Sequence, residues 1–113
     1  MKNNEITPHL KNASFARKTC EQLNKEFERV GIALNLDTAN HDMNQIVDYL
    51  AKELTLISEH QSSLFAQLIY SIDLPEQQVN TIMQTSATIM EDLAQAILVR
   101  VAQKIYLRER FSS

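Results

Sequence analysis

The three histidines, His9, His41 and His60, are the first side chains to consider for metal or phosphoryl chemistry. None belongs to a Glu-x-x-His pair, the spacing that places two metal ligands on the inner face of a helical bundle. His60 is followed by Gln, Ser and Ser, so no lysine or glycine is at hand to support a phosphoryl group on its ring. No glycine-rich loop or Ser/His/Asp arrangement is recognisable either. The sequence therefore predicts no metal site, no cofactor and no catalytic residues.

Cys20 is the only cysteine, which excludes an intrachain disulfide and gives no sign of an oxidising compartment. It falls in the apolar register of the first predicted helix, where a free thiol packs as a small hydrophobic group. No lysine or histidine at helical spacing is directed at it to stabilise a thiolate. We therefore expect a buried, unreactive thiol.

A basic cluster near the C-terminal end is the remaining group that could bind a ligand; it consists of Arg100, Lys104, Arg108 and Arg110. Its first three members repeat every four residues and so share one helix face. If the chain folds back near residue 73, this face lies beside a segment with three aspartates, Asp37, Asp42 and Asp48. We therefore favour an ion network, within the chain or between subunits, and keep binding of a small anion as the alternative.

These basic residues belong to a long segment, residues 75–111, that contains no glycine and, after Pro75, no proline. Its apolar residues recur at intervals of three and four, which predicts one amphipathic helix. They are Val79, Ile82, Met83, Met90, Leu93, Ile97 and Val101. Such a helix would be roughly 54 Å long, longer than a compact domain of this size. We expect an elongated bundle, a break in the helix, or a helix end that projects towards a second subunit.

The apolar face of this helix shifts by roughly a quarter turn in its second half. There it is formed by Leu98, Ala102, Ile105 and Tyr106, while basic residues occupy the former face. The first packing partner should therefore end before this point. We interpret the last three turns as an end of the molecule that is available for assembly.

Two further helices are predicted before residue 75. The first spans residues 8–30, with Thr7 as its N-cap, Pro8 at its first position and Gly31 as its stop. Its apolar seam consists of Ala13, Ala16, Cys20, Leu23, Phe27 and Val30.

The second helix begins near Asn40 and continues to about residue 72. Residues 58–62 are compatible with continuity and equally with a break, since Ser58 and Gln61 have the spacing of a capping box. Residues 31–40 should form an ordered crossover whose three aliphatic side chains close one end of the core.

The composition fits one domain, residues 1–113, of the all-α class. One glycine and two prolines are too few for the many turns of all-β or doubly wound folds. A hydrophobic content of 44% is enough for a modest core. We predict an elongated antiparallel bundle of three long helices, or of four if the second helix breaks near residues 58–62.

Charge and hydropathy indicate which partners and which cellular compartment the protein is suited to. The net charge is −3, with basic ends and an acidic middle, which argues against a nucleic-acid partner. The N-terminal residues lack the apolar stretch of a signal peptide, and no run approaches 18 apolar residues. We therefore expect a cytoplasmic protein without a membrane span.

A shortage of charge marks the hairpin predicted around residue 73. Between residues 61 and 90 only Asp73 and Glu76 are ionised at neutral pH, and both lie at the turn. Solvated helix faces usually carry ions, whereas the centres of interfaces are depleted of them. The predicted interface consists of Phe65, Ile69, Tyr70, Thr81, Gln84, Thr85 and Thr88. We expect it to pack against a twofold-related copy; a neutral but exposed surface is the alternative.

These observations favour a non-catalytic protein that acts by protein association, as a homodimer or as a subunit of a larger assembly. The first alternative is a small all-helical enzyme or anion-binding protein with a basic site between subunits. In it, Arg100, Lys104 and a first-helix arginine, Arg17 or Arg29, would clamp a dicarboxylate. The second alternative is a nucleic-acid-binding protein.

Overall fold

The computed structural model describes residues 3–39 and 41–111, and all of their regular structure is helical. The elements are α1 (Asn3–Ile6), a 3-10 helix (Thr7–Lys11), α2 (Ala13–Glu28), α3 (Met43–His60), α4 (Ser62–Ile72), α5 (Glu76–Thr85) and α6 (Ile89–Phe111). No strand occurs in this part of the chain, so the predicted all-α class is confirmed. None of the described helices combines the length and the apolar character that crossing a bilayer requires.

Helix α6 lies at the centre of the molecule. Its buried residues point in every direction around the helix axis: Leu93, Ala94, Ala96, Ile97, Leu98, Val99, Val101, Ala102 and Ile105. Helices α2 and α3 pack along it, and α1, α4 and α5 also contact it. The shift of the apolar face seen in the sequence therefore reflects a helix with different neighbours on different sides.

The predicted elongated bundle of three or four long helices does not match the structure. Five of the described helices have ten residues or more, and the molecule measures 39 × 28 × 24 Å. The reason is that two helices predicted as continuous are broken, one after residue 11 and one after residue 85. Shorter helices can pack around α6 instead of running beside it.

The break between α5 and α6 is built from short polar side chains. The backbone of Ser86 is extended, with ψ of 136°. The Ser86 hydroxyl accepts a hydrogen bond from the Thr88 N–H (2.9 Å) and donates one to Asp92 Oδ2 (2.6 Å). The Thr88 hydroxyl donates to Asp92 Oδ1 at 3.3 Å. Such side-chain bonds compete with helical backbone bonds, so the chain breaks here although it contains no glycine or proline.

The first predicted helix is broken at Asn12. The Asn12 side chain caps α2 by accepting the Phe15 N–H at 3.0 Å. Thr7 was the predicted N-cap, but it is the first residue of the 3-10 helix, whose own cap, Ile6, makes no side-chain bond. Gly31 follows the end of α2 with φ of 85°, as expected of a helix stop.

Of the two alternatives for the second predicted helix, continuity or a break at residues 58–62, the structure has the break. Helix α3 ends at His60 and α4 begins at Ser62. Ser58 lies inside α3 and donates to the Thr55 carbonyl, so it does not cap α4. The predicted cap Asn40 lies outside the described residues. The N-cap of α3 is Asp42, which forms a capping box with Gln45.

The crossover between α2 and α3 is fixed to α2 by one side-chain amide. Asn24 accepts the Leu36 N–H at 3.0 Å and donates to the Leu36 carbonyl at 3.1 Å. Leu36 is buried, and Ile32 and Leu34 pack against the core while partly exposed. The crossover thus closes the core mainly through Leu36.

We expect Asp92→Ala to lower the free energy of unfolding by about 1 kcal/mol, because it removes both side-chain bonds and a negative charge at the N-terminus of α6. Glu91→Ala is the matched control, since Glu91 is the exposed neighbouring acid in the same turn. Urea unfolding of both variants measures the difference. Equal losses would contradict the role given to Asp92.

Candidate functional site

The turn between α4 and α5 is held against α6 by an arginine. Asp73 ends α4 in the left-handed conformation, with φ of 66°. Arg100 of α6 donates from Nε to the Asp73 carbonyl (3.1 Å) and from Nη2 to Asp73 Oδ2 (3.2 Å). The next residue, Leu74, is buried. The hairpin is therefore anchored at its turn, whereas none of the ten residues of α5 is buried.

A groove of about 670 Å³ lies between α4 and α5. Its apolar lining includes Phe65, Ile69, Tyr70, Val79 and Met83, and the acidic residue Glu76 also lines it. Tyr70 is 88% exposed and Met83 is 46% exposed. Large apolar side chains exposed singly are common, but several that share one concave surface indicate a binding site.

The predicted interface residues of α4 lie together in this groove. Those of α5, Thr81, Gln84 and Thr85, are exposed, and none of them lines the groove. The hydroxyls of Thr81 and Thr85 donate to the carbonyls four residues earlier, at 2.9 and 2.7 Å. Because these hydroxyls are already bonded, covering them with another chain costs little desolvation.

Thr88 does not belong to the same face. The sequence placed it on one continuous helix with Thr81 and Thr85, but it lies in the loop after α5 and bonds to Asp92. Met83 was missed for the same reason, because it was assigned to the core face of that long helix. The run of Ser and Thr around residue 86 is the signal that could have revealed the break and exposed Met83.

The members of the basic cluster predicted at the C-terminal end have different partners. Arg100 binds Asp73 of the α4–α5 turn, and Lys104 Nζ lies 3.5 Å from Glu26 Oε1 of α2. The predicted partners Asp37, Asp42 and Asp48 were wrong for these two residues. The reason is that the side of α6 that carries Arg100 and Lys104 faces the hairpin turn and α2.

Glu26 is the one buried charged side chain among the described residues, with 2% of its surface exposed. It accepts from Lys104, from Arg29 at 3.2 Å and from the amide of Gln22 at 3.3 Å. Three donors compensate the burial of its charge. This cluster joins α2 to α6, and both of its cations are paired with one carboxylate of the same chain.

Arg108 and Arg110 lie apart from that cluster, on the exposed last turn of α6. Arg110 Nη1 donates to the Tyr106 hydroxyl at 3.4 Å. Glu109, between the two arginines, binds Lys18 Nζ at 2.6 Å. Leu107 and Phe111 on the same turn are 41% and 75% exposed. The helix end thus exposes apolar and basic groups together.

The histidines are distributed over the molecule. The His9 ring packs against Tyr106 with 4.8 Å between centroids and a tilt of 49° between the ring planes. His41 Nδ1 lies 3.0 Å from the Asp37 carbonyl, and His60 is exposed at the end of α3. Within residues 3–39 and 41–111, no three His, Cys, Asp or Glu side chains come together as a metal site would require.

Cys20 is buried in the core beside α6. Burial raises the pKa of its thiol from 9.0 to about 11, and the negative charges of Asp37 and Glu21 contribute to the rise. A raised pKa leaves very little thiolate at neutral pH, so this environment does not activate a nucleophile.

Comparison of the chain with protein-family models, with curated proteins and with solved structures gives no match.

We expect Lys104→Gln to lower the free energy of unfolding by about 1–3 kcal/mol, because it leaves the buried Glu26 with only the mostly exposed Arg29 as an ionic partner. Lys52→Gln, at an exposed position of α3, should change it by less than about 0.5 kcal/mol. Urea unfolding at one fixed protein concentration compares the two. Equal effects would show that the Glu26 cluster is not structural.

We expect a maleimide to label Cys20 only when the protein unfolds. Since the thiol is buried with a pKa of about 11, roughly one thiol in a thousand would be ionised at pH 8. The labelling rate should therefore rise with urea in parallel with unfolding followed by circular dichroism. Fast labelling of the native protein, at the rate of a free small thiol, would contradict this.

Proposed function

We propose that this chain is a non-catalytic protein that acts by association with a second copy of itself. The contact is made by the α4–α5 surface, which we define as the outward faces of helices α4 and α5 and the groove between them. The observation that carries the proposal is that groove, with Tyr70 almost fully exposed on its wall and no buried residue in α5.

The distribution of charge supports an interface at this surface. Asp73 and Glu76 are its only ionised residues between 61 and 90. Asp73 is already paired with Arg100, so Glu76 is the one carboxylate here without a described cation partner. Covering such a surface removes few ions from water, and the cost of removing ions is what usually opposes association.

The same lack of charge supports a second copy as the partner. In a twofold dimer both copies bring the same surface to the interface, so a patch of one charge is present twice and is repelled wherever the two patches approach each other. Facing like charges cost several kcal/mol. A surface that is apolar in its groove and neutral on its threonine side avoids this repulsion.

The alternative of an intersubunit anion site has less support. Arg100 and Lys104 contact Asp73 and Glu26, Arg29 contacts Glu26, and Arg17 Nε lies 4.0 Å from Glu21. A dicarboxylate would have to displace these carboxylates, and displacing the buried Glu26 would leave its charge uncompensated.

We expect Tyr70→Glu to weaken dimerisation by about 2 kcal/mol or more, roughly 30-fold in Kd, because it places a charge in the groove and removes an aromatic contact. The side chain is almost fully exposed in one copy, so the fold should be retained. Sedimentation velocity over a concentration series measures the dimer fraction, and circular dichroism checks helicity.

The matched control is Leu56→Glu, which introduces the same charge at another exposed apolar residue, on α3. It should leave the dimer intact. An unchanged dimer for Tyr70→Glu, or equal weakening by both variants, would overturn the proposed surface. A wild-type protein that stays monomeric up to about 1 mM would overturn the proposed function itself.

A further inference from the structure

The exposed large apolar side chains of the described chain are concentrated in two places. Tyr70 and Met83 belong to the α4–α5 groove, and Leu107 and Phe111 belong to the last turn of α6. Leu107 and Phe111 are four residues apart, so they lie on the same side of α6. The fifth such residue, Leu56, is on α3.

The two places carry opposite charge. The groove has Glu76 on its wall. The last turn of α6 has Arg108 and Arg110, and its only acid, Glu109, is bound to Lys18 at 2.6 Å. An apolar pair flanked by arginines therefore complements an apolar groove with a carboxylate at its edge.

The α6 end cannot enter the groove of its own chain. Asp73 lies at one end of the groove and is bound to Arg100 of α6. Arg100 precedes Phe111 by eleven residues. Because α6 is helical without interruption through Phe111, that distance corresponds to about 16 Å along a rigid helix. An α6 end that occupies this groove must therefore come from another molecule.

We propose that residues 107–111 of one copy occupy the α4–α5 groove of a second copy, and that the second copy does the same in return. This inference rests on the proposed function and names the segment that fills the interface. The exchange is reciprocal, so it closes as a twofold dimer and leaves no free groove to extend a chain of molecules.

The aromatic residues supply much of the area that such a dimer needs. Each copy contributes Tyr70 and Phe111, and four buried aromatic side chains account for roughly 600–1,000 Å². A stable interface of standard size buries roughly 1,200–2,000 Å² in total. Leu107, Met83 and Ile69 add to the aromatic contribution.

Phe111→Ser tests the α6 end directly. This side chain is 75% exposed at the end of the helix, so the substitution should not disturb folding. We expect it to raise the Kd of the dimer at least tenfold, while Leu56→Ser leaves the Kd within about twofold of wild type. An unchanged Kd for Phe111→Ser would overturn the inference.

Mixing two defective variants distinguishes an interface between an α6 end and a groove from an interface between two grooves. A heterodimer of Tyr70→Glu and Phe111→Ser retains one intact contact, between the normal groove of the Phe111→Ser copy and the normal α6 end of the Tyr70→Glu copy. We expect fluorescence energy transfer between labelled copies to show heterodimers at concentrations where either variant alone is monomeric. No heterodimer under these conditions would overturn the inference.

Exchange of charges gives an independent readout. Glu76→Lys and the double variant Arg108→Glu, Arg110→Glu should each raise the Kd at low salt about tenfold, and their combination should return it towards wild type. Combining the double variant with Glu91→Lys is the control that should not restore binding.

The outcomes distinguish the two proposals. Loss of the dimer in Tyr70→Glu, together with unchanged binding in Phe111→Ser and in the arginine variants, would keep the α4–α5 surface and remove the α6 end from it. A monomeric wild type up to about 1 mM would remove both.

Discussion

The need to cover α6 on every side determines the arrangement of the other helices. A helix with buried apolar residues on every side is stable only when other elements surround it. In a chain of 113 residues, α1, α2, α3, α4 and one side of α5 take part in this covering. Few residues then remain to cover the outer side of α4 and the short helix α5. The groove between α4 and α5 therefore stays exposed, because the described part of the chain has no further helix to cover it.

Ionic contacts position α6 within this covering more than they stabilise it. The Glu26 cluster joins α6 to α2, Arg100 joins it to the hairpin turn, and Lys18 to Glu109 joins its far end to α2. Exposed pairs contribute little, and a buried carboxylate costs free energy unless donors surround it. Because each pair joins one position of α6 to one neighbouring helix or turn, we infer that together they favour the observed rotation and register of α6.

Helix class and the main core could be predicted from residue spacing. Ala16, Cys20, Leu23 and Phe27 of the first predicted seam are buried, and so are Leu93, Ile97 and Val101 of the last. Spacing could not predict the breaks at Asn12 and Ser86, because helical periodicity continues through them. A break depends on side chains that bond to nearby backbone or to each other, as the Asn12 cap and the contacts of Ser86 with Thr88 and Asp92 do.

The candidate surface could be predicted only in part, because some of its residues depend on where a helix ends. Phe65, Ile69 and Tyr70 were chosen in a segment without charge, and all three line the groove. Residue charge does not depend on where a helix ends. That these residues form an interface stays a prediction. The positions of Met83 and Thr88 depended on the helix boundary and were misplaced with it. To predict the partners of Arg100 and Lys104, one must know which helix lies at the centre of the molecule. Counting equal numbers of residues on either side of a turn does not give that information.

Helix α5 connects stability with association. A ten-residue helix is marginal on its own in water, and α5 is held by residues such as Val79 and Ile82 that remain partly exposed. Arg100 fixes the turn before it, and the Ser86 and Asp92 contacts fix the loop after it, so its ends are more constrained than its middle. A partner that binds the groove would cover α5 and stabilise the ordered helix, because anything that binds only the ordered form shifts the equilibrium towards it. The weakest packed helix of the fold would therefore gain the most from association through the α4–α5 surface.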